Sequence, residues 1–283
     1  MRRLFAMTVA LLMLLSLCAC GNTQSGTIYA DVPGLEDGIL TVGMECAYAP
    51  YNWTQATDAN GAVPIINNPG MYANGYDVII AKKIAEHYGV ALEIMALDWE
   101  GLCPALNTNL DAVIAGQSMT AERLKEVDMA GPYFYASIVC VTKKSSPLAS
   151  ATGISQLSGT CTAQASTVWY DTCLPQIPNA DIQTATESAA AMIMALVSGT
   201  ADFICTDLPT AMGACAGYDD LVILDFTGSE DNFQVSQEEI DIGISVKKGN
   251  ATLKEMLDAV LSEMTAEDFN DLMNQAILVQ PEI

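Results

Sequence analysis

The chain has 283 residues, of which 34 are Asp or Glu and 11 are Lys or Arg, so its formal net charge is −23 at pH 7. Nucleic acid and anionic lipid are disfavoured as partners because both would be repelled, which leaves steering of small cations or simple solubility as roles for the charge. The length suits one large domain or two medium domains.

The N-terminus has the features of a secretory signal. Two arginines follow Met1, and an apolar run then covers residues 4–17. This run is shorter than the roughly 20 apolar residues that a membrane-spanning helix needs. It therefore predicts a signal peptide over residues 1–19.

The end of this signal resembles a lipoprotein processing site. Leu17 and Ala19 precede Cys20 in the manner of the lipobox of bacterial lipoproteins, in which the cysteine becomes the acylated first residue. The resemblance implies lipidation of Cys20, and an ordinary signal peptide with incidental cysteines is the alternative. Residues 20–38 have little apolar content and predict a lipidated, flexible leash.

The rest of the chain alternates strand-like apolar runs with helix-like segments, which predicts α/β layers with mostly parallel sheets. In the first half we predict strands at residues 39–43, 91–97 and 112–115, a long polar loop at 48–74, a short helix at 99–107 and a further helix from Thr120. Another helix is predicted to begin with Asp77 as its N-cap and to end at Gly89, because apolar residues repeat at helical spacing between them.

In the second half, the runs at 136–143 and 240–247 are long and β-branched, as expected of strands that cross between two lobes. Between them we predict strands at 160–163 and 203–206, and helices from Thr167 and over 188–197. These elements predict one lobe made of residues 39–141 plus 240–283 and a second lobe made of residues 142–239.

Cysteine and histidine usage gives no support for a metal site. Of the 9 cysteines, Cys18 and Cys20 are assigned to the signal and the lipid; the others lack CxxC spacing, and His87 is the single histidine. An odd remainder cannot pair completely within one chain. Cys161 and Cys173 form the best candidate for a disulfide, and we predict neither metal nor cofactor.

Arg123 conflicts with its predicted local structure. It follows Thr120 in the first turn of a predicted helix, where anions are preferred to cations. Local rules tend to be broken at functional sites, and the planar guanidinium suits two hydrogen bonds to a carboxylate. Surface pairing with Glu122 or Glu126 is the equally weighted alternative.

Two further places after predicted strands carry polar groups. The turn at residues 163–167 contains Ser166 and Thr167 before a predicted helix, where either residue is also an ordinary N-cap. Asp207 follows the predicted strand at 203–206, and a carboxylate there can pair with a ligand ammonium or serve as a cap.

Taken together, these pieces resemble the amino-acid-binding proteins of ABC importers, which are the family-3 solute-binding proteins with the type II periplasmic-binding fold. The similarity covers the chain from Leu40 to the C-terminal helices. The motifs that carry it are Val42-Gly43-Met44-Glu45, Gly75-Tyr76-Asp77-Val78, Gly131-Pro132-Tyr133 and, most specifically, the segment from Asp111 to Arg123. The implied fold has two lobes, each a mostly parallel sheet flanked by helices, joined by two crossing hinge strands.

The resemblance also implies the roles of site residues. Arg123 would hold the ligand α-carboxylate with Ser118 and Thr120 close by, and Gly116 would contribute backbone groups. Asp207 would take the α-ammonium. The remaining residues of this set, in the turn at residues 163–167, are Ala163, Ser166 and Thr167.

The side-chain end of the predicted pocket is assigned by position to Glu45, Tyr48, Tyr51, Trp53 and Trp99. Aromatic faces attract cations, and Glu45 can pair with a cationic head group, which favours arginine or lysine over acidic ligands. Glutamine and histidine stay open.

The resulting prediction is an extracytoplasmic, lipid-anchored, monomeric receptor that captures a free amino acid for an ABC permease and is not an enzyme. Two alternatives have other functions. One is an amino-acid-sensing lipoprotein without a transport role. The other is a dehydratase-like enzyme on the same fold, which would need an acid or base in the cleft, with Glu45 as the nearby candidate.

Overall fold

The structure is a computed structural model of the chain, and it describes residues 29–281. Its strands are β1 Ile39–Met44, β2 Ala47–Tyr48, β3 Asn52–Gln55, β4 Val63–Pro64, β5 Tyr72–Asn74, β6 Ala91–Ala96, β7 Ala112–Ser118, β8 Val127–Tyr135, β9 Ile138–Lys143, β10 Ser158–Thr162, β11 Asn179–Ile182, β12 Phe203–Asp207, β13 Leu221–Leu224 and β14 Asp241–Lys247.

Its α-helices are α1 Tyr76–Tyr88, α2 Leu102–Ala105, α3 Arg123–Glu126, α4 Ala189–Ser198, α5 Leu208–Gly217, α6 Gln237–Ile240, α7 Ala251–Ser262 and α8 Ala266–Val279. A π-helical turn covers Trp169–Cys173, and short 3-10 turns cover, among others, Trp99–Gly101 and Leu174–Gln176. The predicted α/β class is confirmed by this alternation of strands and helices.

The first large sheet has the strand order β6-β1-β7-β14-β8. β1 runs parallel to β6 and to β7, whereas β14 runs antiparallel to both β7 and β8. The sheet is therefore mixed, with its parallel part at one side. Because β1 and β7 are parallel, the residues that follow them, Glu45 and Met119, leave the sheet at the same edge, where ligands bind in open α/β sheets.

The second large sheet repeats this plan with the order β11-β10-β12-β9-β13. β10 is parallel to β11 and β12, and β9 is antiparallel to β12 and β13. The carboxyl ends of β10 and β12 again share one edge, which brings the turn at 163–167 near Asp207. We call the layers around the first sheet lobe 1 and those around the second sheet lobe 2.

The chain crosses between the sheets twice, at adjacent places. It passes from β8 to β9 through Ala136, whose N–H donates to the carbonyl of Ile240 at 2.8 Å. Tyr135 on β8 pairs with Asp241 on β14. β9 itself extends from Ile138 to Lys143 and crosses the predicted lobe boundary at residue 141, so the exact division stays a prediction.

Helices cover the sheets with apolar stripes. In α7 the buried residues are Leu253, Leu257, Val260 and Leu261, which fall at i, i+4, i+7 and i+8 on one face. Asn250 caps this helix by accepting the N–H of Leu253. Among residues 29–281, no helix is both long and apolar enough to cross a membrane.

The polar loop predicted at residues 48–74 is wrong in part, because this segment contributes to a small sheet with the order β2-β3-β5-β4. Next to it, Ile65 bridges to Ile94 on the exposed side of β6. The side chain of Asn67 accepts the Ala96 N–H at 3.0 Å and donates to the Ala96 carbonyl at 2.7 Å. The segment thus covers an edge strand that would otherwise offer unpaired backbone groups.

Two predicted helix starts are corrected. The N-cap of α1 is Gly75, with φ of 127°, so Asp77 lies inside the first turn, while the predicted end at Gly89 is confirmed by its left-handed conformation. The helix predicted from Thr120 is a single turn over Arg123–Glu126, and Thr120 accepts the Arg123 N–H at 3.2 Å. Four residues make too short a helix for the dipole argument to carry weight.

Cysteine pairing also differs from the prediction. All seven cysteines within the described residues are free thiols, including Cys161 and Cys173, so the suggested disulfide is absent. Both side chains lie in the apolar interior, where an unpaired cysteine behaves as a small hydrophobic residue. The described part of the chain contains no group of three or more His, Cys, Asp or Glu side chains placed to hold a metal ion.

Candidate functional site

A cleft of about 770 Å³ lies between the lobes at the carboxyl ends of the parallel strands. Its lining comprises Trp99, Glu100, Cys103, Pro104, Gln117, Thr120, Ala121, Glu122, Arg123, Glu126, Ser166, Thr167, Val168, Asp171, Thr172, Ser236, Glu238 and Glu239. Next to it is an inner chamber of about 20 Å³, room for about one water molecule. The chamber is lined by Tyr48, Trp99, Gly116, Ser118, Arg123, Gln164, Thr167, Val168 and Trp169.

Arg123 lines both cavities and is held by neutral groups. Its Nη1 donates to the carbonyl of Ser118 in a short hydrogen bond, and its Nη2 donates to the carbonyl of Ser166 at 3.5 Å. Its guanidinium carbon lies 5.6 Å from the ring centroid of Trp99, within the range of a cation–π contact. Arg123 therefore touches both lobes.

No carboxylate within the described residues comes close enough to form an ion pair with Arg123. Glu122 pairs instead with Lys125, a neighbour that the alternative prediction of a surface pair between Arg123 and Glu122 did not consider. Burial lowers the pKa of Arg123, because desolvation disfavours the charged guanidinium, with Glu100 and Glu126 among the groups that oppose the shift. Arg123 is a partly buried cation whose close neighbours are two carbonyls, the Trp99 ring and the Cys103 side chain, so it retains capacity for an anion.

Gly116 and Ser118 lie at the end of β7, where the sheet is irregular. The register between β7 and β14 shifts opposite Gly243 to Ser245, and β7 pairs with β1 only as far as Val113. Gly116 adopts φ of +63°, and a Cβ there would come within 2.7 Å of Tyr48 Cε1. This position requires glycine, because both the backbone conformation and the ring of Tyr48 exclude a side chain.

The turn after β10 faces lobe 1. Ser166 has φ of +56°, and its hydroxyl donates to Glu100 Oε1 across the cleft at 2.7 Å. The Thr167 hydroxyl donates to the Gln164 carbonyl at 2.7 Å, which closes the turn. Ala163 is buried, and its carbonyl accepts the Thr186 N–H at 2.9 Å, so it supports the turn without lining either cavity.

Asp207 is fully engaged within the protein. Its Oδ1 accepts the Thr210 N–H at 2.9 Å, which caps α5, and its Oδ2 accepts the Tyr48 hydroxyl at 2.6 Å. Burial raises the pKa of Asp207, and these hydrogen bonds oppose the rise. The helix cap that the sequence offered as one role of Asp207 is present, and pairing with a ligand ammonium stays a prediction.

Glu45 lies between β1 and β2 and is half-buried. Its Oε2 accepts a hydrogen bond from Gln164 Nε2 in lobe 2 at 3.3 Å. Desolvation raises the pKa of Glu45 to about 7; Asp98 adds to the rise, and the hydrogen bond from Gln164 opposes it. No cationic side chain within residues 29–281 forms an ion pair with Glu45, and Glu45 lines neither cavity in this structure.

The aromatic residues divide between the cavity and the core. Trp99 lines both cavities, and Tyr48 lines the inner chamber while stacking on Tyr51 at 4.7 Å between ring centroids. Trp53 lines neither cavity, contrary to the prediction. It is buried in β3, and its Nε1 donates to Gln55, because pairing in the small sheet turns the ring into the core of lobe 1.

Several cavity residues were not predicted. Gln164 and Trp169 complete the inner chamber, and Gln164 was visible as the polar member of the turn motif. The outer cleft carries acidic residues from both lobes: Glu100, Glu122, Glu126, Asp171, Glu238 and Glu239. These lie far apart in sequence, so only the fold brings them together. Cys20, the predicted lipidation site, lies outside the described residues.

Known proteins with similar sequences and structures bind amino acids. The arginine-binding extracellular protein ArtP of Bacillus subtilis (strain 168) is 29% identical over 153 residues, which cover 53% of this chain and 51% of that protein. The match thus spans about half the length of that relative.

Two solved structures share the fold over most of their length. An arginine-bound form of truncated ArgBP from T. maritima has a TM-score of 0.65 and 27% identity, covering 82% of this chain and 99% of that one. The ancestral amino acid-binding protein AncCDT-1, described as a precursor of cyclohexadienyl dehydratase, has a TM-score of 0.69 and 26% identity, covering 87% and 98%. Residues 40–277 match the bacterial extracellular solute-binding proteins, family 3, and the chain belongs to that family.

Proposed function

We propose that this protein captures a free polar L-amino acid between its two lobes and delivers it to an ABC importer. The observation that carries the proposal is Arg123, a partly buried cation that lines both cavities without a carboxylate partner among the described residues. A ligand α-carboxylate supplies the missing anion through two charge-assisted hydrogen bonds. Ser118 and Thr120 flank this position.

A cationic side chain is the favoured case. Glu45 is a half-buried carboxylate that forms no ion pair within the described residues, and a ligand ammonium or guanidinium beside it would replace the single hydrogen bond from Gln164. Trp99 lines both cavities and adds an aromatic face, which in this structure lies 5.6 Å from the guanidinium carbon of Arg123. The arginine-bound ArgBP structure and the name of the B. subtilis relative agree with this preference.

Ligand entry requires the lobes to separate. The inner chamber of about 20 Å³ is far smaller than an amino acid, and the Tyr48 hydroxyl occupies the Asp207 oxygen that an α-ammonium would use. Separation breaks the Tyr48–Asp207, Gln164–Glu45 and Ser166–Glu100 hydrogen bonds, and ligand binding replaces them. This is hinge closure around a ligand, with the two β-crossings as the hinge.

The proposal includes attachment and partner. The signal over residues 1–19 directs export, Cys20 carries the lipid, and residues 20–38 let a monomeric receptor reach a membrane permease. A sensing lipoprotein with the same site would lack the permease, so copurification with a permease after mild crosslinking distinguishes the two.

A dehydratase-like enzyme is the second candidate, favoured by one observation. The Glu45 pKa of about 7 is in the range of a general acid or base, and AncCDT-1 shares the fold. We place binding first because residues 40–277 match a family of solute-binding proteins and because Glu45 lines neither cavity. Amino acid recovered chemically unchanged after prolonged incubation excludes the enzyme.

The proposal is tested by a thermal-shift screen against all free amino acids, followed by calorimetry on three variants. A ligand at about 100 times its dissociation constant adds roughly 2.7 kcal/mol to the unfolding free energy. Arg123→Ala should weaken binding by at least about 2 kcal/mol, because a charge-assisted contact is lost from a desolvated site. Arg123→Lys should also bind poorly, since an ammonium lacks the planar fork.

Lys125→Ala is the matched control, because Lys125 lies on the same helical turn and lines neither cavity, and it should leave affinity nearly unchanged. The unfolding free energy of ligand-free Arg123→Ala should stay within about 1 kcal/mol of wild type, because the lost hydrogen bond to Ser118 is offset by removal of a desolvated charge. A destabilised Arg123→Ala protein with unchanged affinity would place the carboxylate site elsewhere.

A further inference from the structure

Asp77 is the centre of a buried hydrogen-bond network beneath the cleft. It lies in the first turn of α1 and is completely buried, with each carboxylate oxygen accepting one side-chain hydrogen bond. Asn52 Nδ2 donates to Oδ2 at 2.7 Å, and the Tyr133 hydroxyl donates to Oδ1 at 2.7 Å. Asn52 and Tyr133 are themselves fully buried, so water cannot replace these partners.

The first branch leads to the loop that carries Glu45. Asn52 Oδ1 accepts the N–H of Cys46 at 2.6 Å. Cys46 adopts φ of +56°, which is unusual for a residue with a side chain. The amide of Asn52 thus holds the residue that follows Glu45 in a left-handed conformation, at the point where the chain passes from β1 to β2.

The second branch leads to the end of β7. The Tyr133 hydroxyl oxygen accepts the N–H of Gly116 at 3.0 Å. Gly116 also has positive φ, and it contacts the inner chamber beside Ser118. Gly116 lies where the ladder to β14 shifts register and beyond the last residue of β7 that pairs with β1, so the tyrosine holds an amide in an irregular part of the strand.

The direction of donation is the same along both branches. Because the Cys46 N–H must meet the oxygen of Asn52, the amide nitrogen faces Asp77. Because the single proton of Tyr133 points to Asp77, its oxygen is free to accept from Gly116. An ionised carboxylate is the side chain that accepts at both ends, whereas an amide or an alcohol would present a donor to one branch.

From this geometry we propose that Asp77 is a positioning residue that holds the backbone at Cys46 and Gly116 in the left-handed conformations that shape the cleft. It acts through Asn52 and Tyr133 and does not touch the ligand. One part of this inference rests on the proposed function, namely that these two backbone positions take part in ligand binding.

Amide hydrogen exchange measured by NMR on the ligand-free protein tests the proposal without any ligand. Tyr133→Phe should speed exchange at the Gly116 amide by about fivefold or more and leave the Cys46 amide within about twofold of wild type. Asp77→Asn should speed exchange at both amides. Tyr88→Phe, which removes a hydroxyl that donates to the Met256 carbonyl elsewhere in lobe 1, is the matched control.

Calorimetry with L-arginine as the probe adds the ligand measurement. Asp77→Asn and Tyr133→Phe should each weaken L-arginine binding at least about tenfold, and Tyr88→Phe should not. Unchanged exchange at Gly116 in a folded Tyr133→Phe protein would overturn the inference, as would faster exchange with unaltered arginine affinity. Wild-type protein that binds no amino acid would instead overturn the proposed function, while the exchange rates still decide whether Asp77 holds the two amides.

Discussion

We predict that arginine binding depends on pH through Glu45, in a direction fixed by the surroundings of its carboxyl group. Desolvation raises the pKa of Glu45 to about 7, and a cationic ligand binds best to the ionised carboxylate. Below pH 7 the ligand must therefore displace a proton. If the ligand binds only the ionised form, affinity falls by about tenfold for each pH unit, or roughly 100-fold between pH 8 and pH 5, which corresponds to about 2.7 kcal/mol.

The ligand-free protein responds to pH in the opposite sense. A carboxyl group whose pKa is raised from 4.5 to about 7 by folding stabilises the folded state fully below pH 4.5, and this contribution is lost as pH rises through 7. The difference between these two pKa values corresponds to roughly 3 kcal/mol of folding free energy as an upper limit, at about 1.4 kcal/mol per pKa unit. Between pH 5 and pH 8, stability without ligand should fall while arginine affinity rises.

Calorimetry over this pH range, in buffers with different ionisation enthalpies, measures both affinity and proton release. L-citrulline is the matched probe, because it has the shape of arginine without the charge and should show little of the pH dependence. Glu45→Gln should remove most of the dependence for arginine and leave any part that comes from Asp207. Equal arginine affinity at pH 5 and pH 8, or a dependence as steep in Glu45→Gln as in the wild-type protein, would refute the role assigned to Glu45.

Two other variants separate the site from the scaffold. Tyr48→Phe should lower the melting temperature of the ligand-free protein and strengthen amino-acid binding a few-fold in calorimetry, because the ligand ammonium no longer competes with a hydroxyl for Asp207; weaker binding would mean that Tyr48 contacts the ligand. Asn67→Ala should reduce the unfolding free energy in urea by about 1–2 kcal/mol without altering affinity, since it uncovers Ala96 at a sheet edge. The exposed neighbour Asn68 provides the control substitution to alanine, and equal stability of the two variants would contradict the role of Asn67.

Local signals predicted the regular elements well. α1 ends at Gly89 as expected, because a glycine after an apolar helical repeat adopts the left-handed conformation without strain. α4 begins after Ser188, whose hydroxyl accepts the Ala191 N–H as an N-cap should. Such elements are specified by residues a few positions apart, which is the range that a single sequence reveals.

Elements that depend on distant partners could not be read in this way. β2 and β4 have two residues each, too few to show alternation, and they exist because β3 and β5 pair with them. Aspartate is a common N-cap residue, which is why Asp77 was predicted to cap the helix. Its carboxylate instead turns inward to Asn52 and Tyr133, which are 25 and 56 residues away. Tertiary partners override the local preference in both cases.

The residues of the candidate site also divide into those that local sequence motifs identified and those whose placement depends on distant partners. Arg123, Gly116 and the turn at 163–167 were identified through motifs, and the fold brings them to one cleft. Trp53 was assigned by its place in a loop, and that assignment failed because the loop is a strand whose pairing decides which face of the ring is buried. The position of a residue in a sequence motif predicts the region of the fold in which it lies. The register of strand pairing then decides whether its side chain points into the core or into the cleft.

The charged residues that line the cleft limit which charged groups of an amino-acid ligand can be matched there. Within the described residues, Arg123 is the single cation lining either cavity, whereas Glu100, Glu122, Glu126, Asp171, Glu238 and Glu239 line the outer part. One ligand carboxylate can therefore be matched at Arg123, and a second carboxylate in the outer cleft would meet like charge. Two like unit charges 4 Å apart repel each other by about 4 kcal/mol at an effective dielectric constant of about 20. This repulsion is larger than the stabilisation of about 0.5–2 kcal/mol that a cation–π contact provides. We therefore predict that glutamate and aspartate bind more weakly than lysine and arginine, which carry one carboxylate and two cationic groups.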